Sequence, residues 1–152
     1  MENNKSVPSK FKFFDHTADV KFEAYGKNLD EAFSNAILAT TNVIADFSLI
    51  KTLMEIKISI KSKTKESLLF DLLEELIFYL DTEAFLTSEV KELTISNSDD
   101  SLYKLKCVLL GDKCTKYDTT GDIKSATYND MSIVEKNFND ENKITVTAVL
   151  DL

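Results

Sequence analysis

The chain has 152 residues, 43% hydrophobic and 29% charged, which is the balance of a globular fold. At that length one domain buries roughly two-thirds of its unfolded surface without disulfides or structural metal. A net charge of −8, 18 basic residues scattered among 26 acidic ones, and no apolar run near the ~20 residues of a membrane helix argue against a membrane span and against tight nucleic-acid binding by this chain alone.

Residues 1 to 9, with Pro8, are predicted as a disordered tail, and residues 10–152 as a single domain. The opening Met1–Lys5 leads into polar residues rather than an apolar h-region, so no secretory signal is expected. Cys107 and Cys114 are the only cysteines and form no CxxC, which suits reduced thiols in the cytoplasm.

Strands are predicted over Phe11 to Phe14 and Val20 to Tyr25; in the second, Val20, Phe22 and Ala24 alternate with Lys21, Glu23 and Tyr25. Gly26 closes it, and Asn28 with Glu31 reads as the cap of a helix whose apolar stripe is Leu29, Ala32, Phe33, Ala36, Ile37, Val43, Ile44 and Phe47. Met54 to Ile60 alternates as an amphipathic strand. A second helix, about Lys65 to Leu80, carries Leu68, Leu69, Leu72, Leu73, Leu76 and Ile77 on a broad face and is expected to be the most buried element. Between these two, Lys57, Lys61, Lys63 and Lys65 read as a solvated strand face and linker.

The remainder is β: Val90 to Ser96, Leu102 to Leu110, Ile123 to Tyr128, Met131 to Phe138 and Ile144 to Leu150. Ser98-Asp99-Asp100 and Asn139 to Asn142 read as hairpin loops, and Tyr128-Asn129-Asp130 as a tighter turn. The predicted class is therefore α+β, two helices packed on a largely antiparallel sheet.

Most catalytic constellations are missing. There is one histidine, no zinc spacing, no GxxxxGK[ST] or GxGxxG phosphate cradle, and no serine in a glycine-flanked elbow. What stands out is Asp15-His16-Thr17-Ala18-Asp19 between the first two strands, and Asp151-Leu152 at the end of the last one. Asp15, Asp19, Asp151 and the main-chain carboxylate of Leu152 are hard oxygen donors suited to Ca²⁺, Mg²⁺ or Mn²⁺. They meet only if the first and last strands are neighbours. Otherwise Asp15 and Asp19 are turn residues and Asp151-Leu152 is a frayed end.

Asp15 to Val20, then Ala24-Tyr25-Gly26 and Leu29 to Phe33, resemble the opening signature of the archease family. Ile123 to Tyr128 is similar to that family's VKAVTY segment, Ser67 to Leu80 fits its second helix, and Ala148 to Leu152 resembles its closing VVLDI. The matches are colinear from about residue 11 to 152. The resemblance implies a protein cofactor, not an enzyme, that assists the GTP-dependent RtcB-type RNA ligase of tRNA splicing and RNA repair. It implies promotion of ligase guanylylation and turnover through a divalent metal, with Ca²⁺ favoured by analogy. The family's ligands fall on Asp19, Asp151 and the terminal carboxylate of Leu152, with Asp15 acting through water and His16, Asp122 and Lys124 as functional contacts.

Three departures from the family pattern stand out. Asn129 replaces a common histidine, tryptophan is absent, and Leu152 replaces isoleucine at a position where the main chain would be the ligand. Two other readings of the acidic motifs are a stand-alone metal-dependent hydrolase with His16 as its base, and a chaperone-like binding module without metal.

Overall fold

The structure, a computed structural model, describes residues 9–14, 18–97 and 101–152. Seven strands and two α-helices follow one another as β1 (Phe11–Phe14), β2 (Asp19–Gly26), α1 (Leu29–Asn42), β3 (Met54–Ser62), α2 (Lys65–Glu83), β4 (Phe85–Ser96), β5 (Tyr103–Lys113), β6 (Ser125–Phe138) and β7 (Glu141–Asp151). The class is α+β, as the sequence predicts. The β structure, however, is divided into two antiparallel sheets, one four-stranded in the order β1-β2-β7-β6 and one three-stranded in the order β3-β5-β4.

Both helices lie between the sheets. α1 packs on β1, β2 and β7 of the first sheet and on β4 of the second, while α2 packs on β6 and on β3, β4 and β5. Each therefore buries more than one stripe. Ala36 to Thr41 of α1 is buried without a break, and α2 buries the pairs Leu68-Leu69, Leu72-Leu73 and Leu76-Ile77. The inner sheet faces complete the core with Phe22, Ala24, Val146, Ala148 and Leu150 on one side and Leu105, Cys107 and Leu109 on the other. Burying a Leu or Phe side chain of this kind contributes about 1.5–3 kcal/mol.

The start of α1 follows its sequence signal, and both helices are capped by side chains. The Asn28 side chain accepts the Glu31 N–H at 2.9 Å, and Glu31 reaches back to accept the Lys27 N–H at 2.6 Å. Thr64 and Ser67 form a reciprocal capping box at α2. No helix among the described residues is long and apolar enough to cross a membrane.

Several boundaries differ from the prediction. β4 begins at Phe85 rather than Val90, because Ala84 ends α2 in a left-handed conformation (φ 54°) and the buried run Phe85-Leu86-Thr87 enters the sheet at once. Tyr128-Asn129-Asp130 is not a turn between two strands but lies inside β6, where register slips between Thr127 and Ser132 as a bulge and Asp130 adopts φ 59°. The β6–β7 hairpin is tighter than the four residues expected. Only Asn139 and Asp140 form it, both left-handed, while Glu141 and Asn142 already pair with Phe138 and Asn137. The expected disordered tail falls, apart from Ser9, outside the described residues, as does the Ser98-Asp99-Asp100 loop.

Candidate functional site

β2 and β7 are neighbours in the middle of the four-stranded sheet, and their antiparallel register runs from Gly26 opposite Ile144 to Asp19 opposite Asp151. Alternation puts Val20 and Leu150 into the core, so Asp19 and Asp151 project together from the outer face. Directly opposed residues have Cβ atoms about 4.5–5.5 Å apart. Two carboxylates from opposite ends of the chain thus share one corner of the sheet.

β6 adds the third member of this row. Ser125 pairs with Asp151 from the other side, and its hydroxyl donates to the Asp151 carboxylate at 3.3 Å. The Lys124 N–H donates to the Asp151 carbonyl at 2.8 Å, which fixes the last strand just before the exposed Leu152. β6 is an edge strand, and at this point its outward donor is covered by α2: the Ala126 N–H is accepted by Glu74 at 2.8 Å. One residue pair further on, Phe70 of α2 stacks flat on Tyr128 of β6, with ring centroids 4.2 Å apart and planes 7° apart. Burial, and then the Asp71 charge, raise the Tyr128 phenol above its ordinary pKa.

Beneath the acidic row the outer face changes character. Lys21, Val149 and Thr127 form the next row, and the Lys21 ammonium meets the Asp130 carboxylate of the bulge at 3.7 Å. That ion pair spans β7 over Val149, which has no exposed surface although it faces outward. Ala18, immediately before Asp19, sits at φ 63°. An alanine adopts this region at a cost of about 1–2 kcal/mol, so the approach to Asp19 is held by more than local preference.

Of the residues singled out in the sequence, Asp19, Asp151 and Leu152 come together at this corner, with Asp19 and Asp151 half-buried. Lys124 reaches it through its main chain while its side chain, like that of Asp122, is exposed. Asp15 and His16 lie outside the described residues. Ser125, Glu74 and the Lys21–Asp130 pair carry no signal in the sequence, because only the strand register brings them around Asp151.

The donors that meet here are all oxygen, which fits a hard cation and not a soft or imidazole-seeking one. Two facing carboxylates repel, and a divalent ion relieves that repulsion. Among the described residues no group of three or more His, Cys, Asp and Glu side chains is gathered to hold an ion. The described part of the corner offers the two side-chain carboxylates of Asp19 and Asp151 and the main-chain end of Leu152.

The chain matches the model of the Archease protein family over residues 11–152. It is 37% identical over 143 residues to "Protein archease" of Methanothermobacter thermautotrophicus, covering 93% of this chain and 98% of that one. It is 34% identical over 145 residues to "Protein archease" of Sulfurisphaera tokodaii, covering 94% and 99%. The fold is similar to the solution structure of Methanobacterium thermoautotrophicum protein 1598, with a TM-score of 0.78 at 34% identity over 94% of this chain and 99% of the other.

Proposed function

The chain belongs to the archease family, and from that premise we propose that it is a protein cofactor that activates a GTP-dependent RtcB-type RNA ligase through a divalent cation bound at the β2–β7 corner. The observation that supports this most directly is the Asp19–Asp151 cross-strand pair, since a specific register juxtaposes two acidic residues where repulsion disfavours them. The proposed ligands are Asp19, Asp151 and the terminal carboxylate of Leu152, with Asp15 acting through water as the family resemblance implies. Ca²⁺ is the favoured ion by the same analogy, with Mg²⁺ and Mn²⁺ as the other hard candidates. When bound, the ion supplies neutralisation of the carboxylates and coordination positions that exchange with water.

The surrounding residues have separate tasks. Ser125 orients the Asp151 carboxylate by donating to it, and the Lys124 N–H holds the main chain in line. Glu74 and the Phe70–Tyr128 stack keep β6, and with it Ser125, in place. The exposed side chains of Asp122 and Lys124 stand beside the corner as contacts for the ligase. A carboxylate corner at the end of the β2–β7 ladder suits a protein that positions a cation at another protein's active site, promoting guanylylation and repeated turnover in tRNA splicing and RNA repair. The reduced thiols fit work in the cytoplasm.

The test is multiple-turnover RNA ligation by the ligase of the same organism. The protein is expected to sustain turnover, and D151N is expected to lose most of that effect while still folding. Undiminished activation by the D19N/D151N double variant would overturn the proposed site.

A further inference from the structure

The outer face of the three-stranded sheet carries a charge pattern that the carboxylate corner does not use. Lys57, Ser59 and Lys61 of β3 share that face with Lys104, Lys106 and Val108 of β5 and with Thr94 and Ser96 of β4. Register arranges them in rows: Lys61 opposite Lys104 opposite Ser96, and Ser59 opposite Lys106 opposite Thr94. Lys57, Lys61 and Lys106 are exposed, and Lys104 is half-buried.

Like charges directly opposed across a ladder cost stability. Among the described residues, none of these lysines enters an ion pair that would offset the cost. Among the described residues, Glu92 shares the Lys57 row across Val108, and Glu55 and Glu89 stand in the row beyond, where Glu55 engages Lys91 at 3.8 Å. Lys63 and Lys65 extend the basic end beyond β3. A chain of net charge −8 thus gathers cations that are distant in sequence onto one sheet face. The linear sequence shows only the β3 half of this pattern.

We propose that this lysine face binds the phosphodiester backbone of a nucleic-acid duplex, weakly and without sequence preference. Every basic residue of the chain is a lysine, so its cations act as point charges on phosphate and do not offer the planar fork of an arginine. Interspersed hydroxyls of Ser59, Thr94 and Ser96 are apt for phosphate and sugar oxygens. No aromatic ring stands in these rows, so the face lacks the stacking platform that unpaired bases use. The Lys61 and Lys106 rows hold only lysine, serine and threonine, and the apolar Val108 and Leu110 lie in the rows beyond them. The acidic remainder of the molecule opposes a polyanion, which keeps the contact weak and consistent with the expectation that this chain alone does not bind nucleic acid tightly.

The experiment uses the full chain without ligase or divalent metal, so it is independent of the metal site. Fluorescence anisotropy with a labelled 16-base-pair RNA duplex is followed from low to physiological KCl. Binding is expected at low salt, with log K falling against log[KCl] at a slope of about −3 for the lysine face. K61S/K104S is expected to make that slope shallower by about 2 and to weaken low-salt binding at least ~10-fold. K136S on the other sheet should change neither. The thermal midpoint of K61S/K104S should equal or exceed that of the parent, because the opposed pair is relieved, and this separates lost binding from lost folding. Equal binding by parent and K61S/K104S, no binding by the parent, or equally tight binding of the single strand would overturn the proposal. Displacement of the duplex by an oligoglutamate peptide at equal charge would also overturn it, making an acidic protein segment the occupant.

Discussion

Asp19 and Asp151 are direct partners across the β2–β7 ladder, the first residue of one strand facing the last residue of the other. Like charges opposite one another across a ladder destabilise by up to ~1 kcal/mol, and a cation shared between them relieves that repulsion. A cation that binds there only in the folded protein adds to its stability. At a free-ion concentration a hundredfold above its dissociation constant the gain is about 2.7 kcal/mol, or roughly 5–10 °C in Tm for a chain of this size. Thermal unfolding with and without millimolar Ca²⁺ is expected to show that rise in the parent and none in D19N/D151N.

A second prediction concerns the terminal carboxylate of Leu152, whose side chain is 43% exposed and so does not anchor the end of β7 by burial. Appending a short polar segment after Leu152 converts that carboxylate to an amide while leaving the ladder up to Asp151 intact. The extended protein is expected to keep its chelator-state Tm and to lose most of the Ca²⁺-dependent rise and of ligase activation. An extended protein that responds to Ca²⁺ like the parent would remove Leu152 from the ligand set.

Much of this arrangement is legible in the sequence where the signal is local. The alternation from Met54 to Ile60 and the Asn28 start depend on neighbours within four residues, and the structure follows them. Where reading fails, a local signal has two outcomes. Asn129 and Asp130 suit a turn, but the same left-handed tolerance serves a bulge, and β6 runs through them. Phe85 to Thr87 does not alternate because both faces of that segment are covered, so it carries no strand signature next to a helix that ends without glycine. The pairing of Asp19 with Asp151 was visible only as a condition, because strand adjacency across more than a hundred residues is not written in either segment.

Gly111 marks a place where two strands leave no room. It pairs with Met54 on one side and Thr87 on the other, and a Cβ there would run into the backbone carbonyl of Leu86. Backbone cannot yield as a flexible side chain does, so G111A must spread β4 from β5. The expected loss is about 1–3 kcal/mol or more, measured as a lower urea midpoint with an unchanged slope.

Asp112 supplies an acid-sensitive contact far from the carboxylate corner. It is 1% exposed and accepts from the Tyr117 hydroxyl at 2.7 Å, the Lys113 N–H at 2.8 Å and the Lys116 ammonium at 3.1 Å. The Tyr117 hydrogen bond is the main cause of a pKa below the ordinary 3.8; burial opposes it, and the Lys113 and Lys116 contacts reinforce it. A folded pKa below the unfolded one gives stability that is complete above the unfolded value and is lost as pH falls through the folded one. In Y117F the folded pKa rises toward 3.8, so Tm should be lower at neutral pH and should fall less steeply below pH 4 than in the parent. An identical acid limb in both proteins would count against this role.

The two thiols should separate by reactivity. Cys107 lies on the inner face of β5 at 3% exposure, and burial pushes its pKa from 9.0 to about 12, against a small lowering by the Ile58 backbone. Since the thiolate is the reactive form, that shift alone leaves about a thousandfold less of it at any pH below 9. Cys114 is only partly buried, in the short 3₁₀ turn after β5. An aromatic disulfide reagent at pH 8 should therefore titrate one thiol rapidly in the folded protein, and C114S should abolish that fast phase. The second thiol should react only as the sheet opens, its rate following urea concentration in step with unfolding. A fast two-thiol reaction in native buffer would mean that the inner face of β5 is not sealed beneath α2.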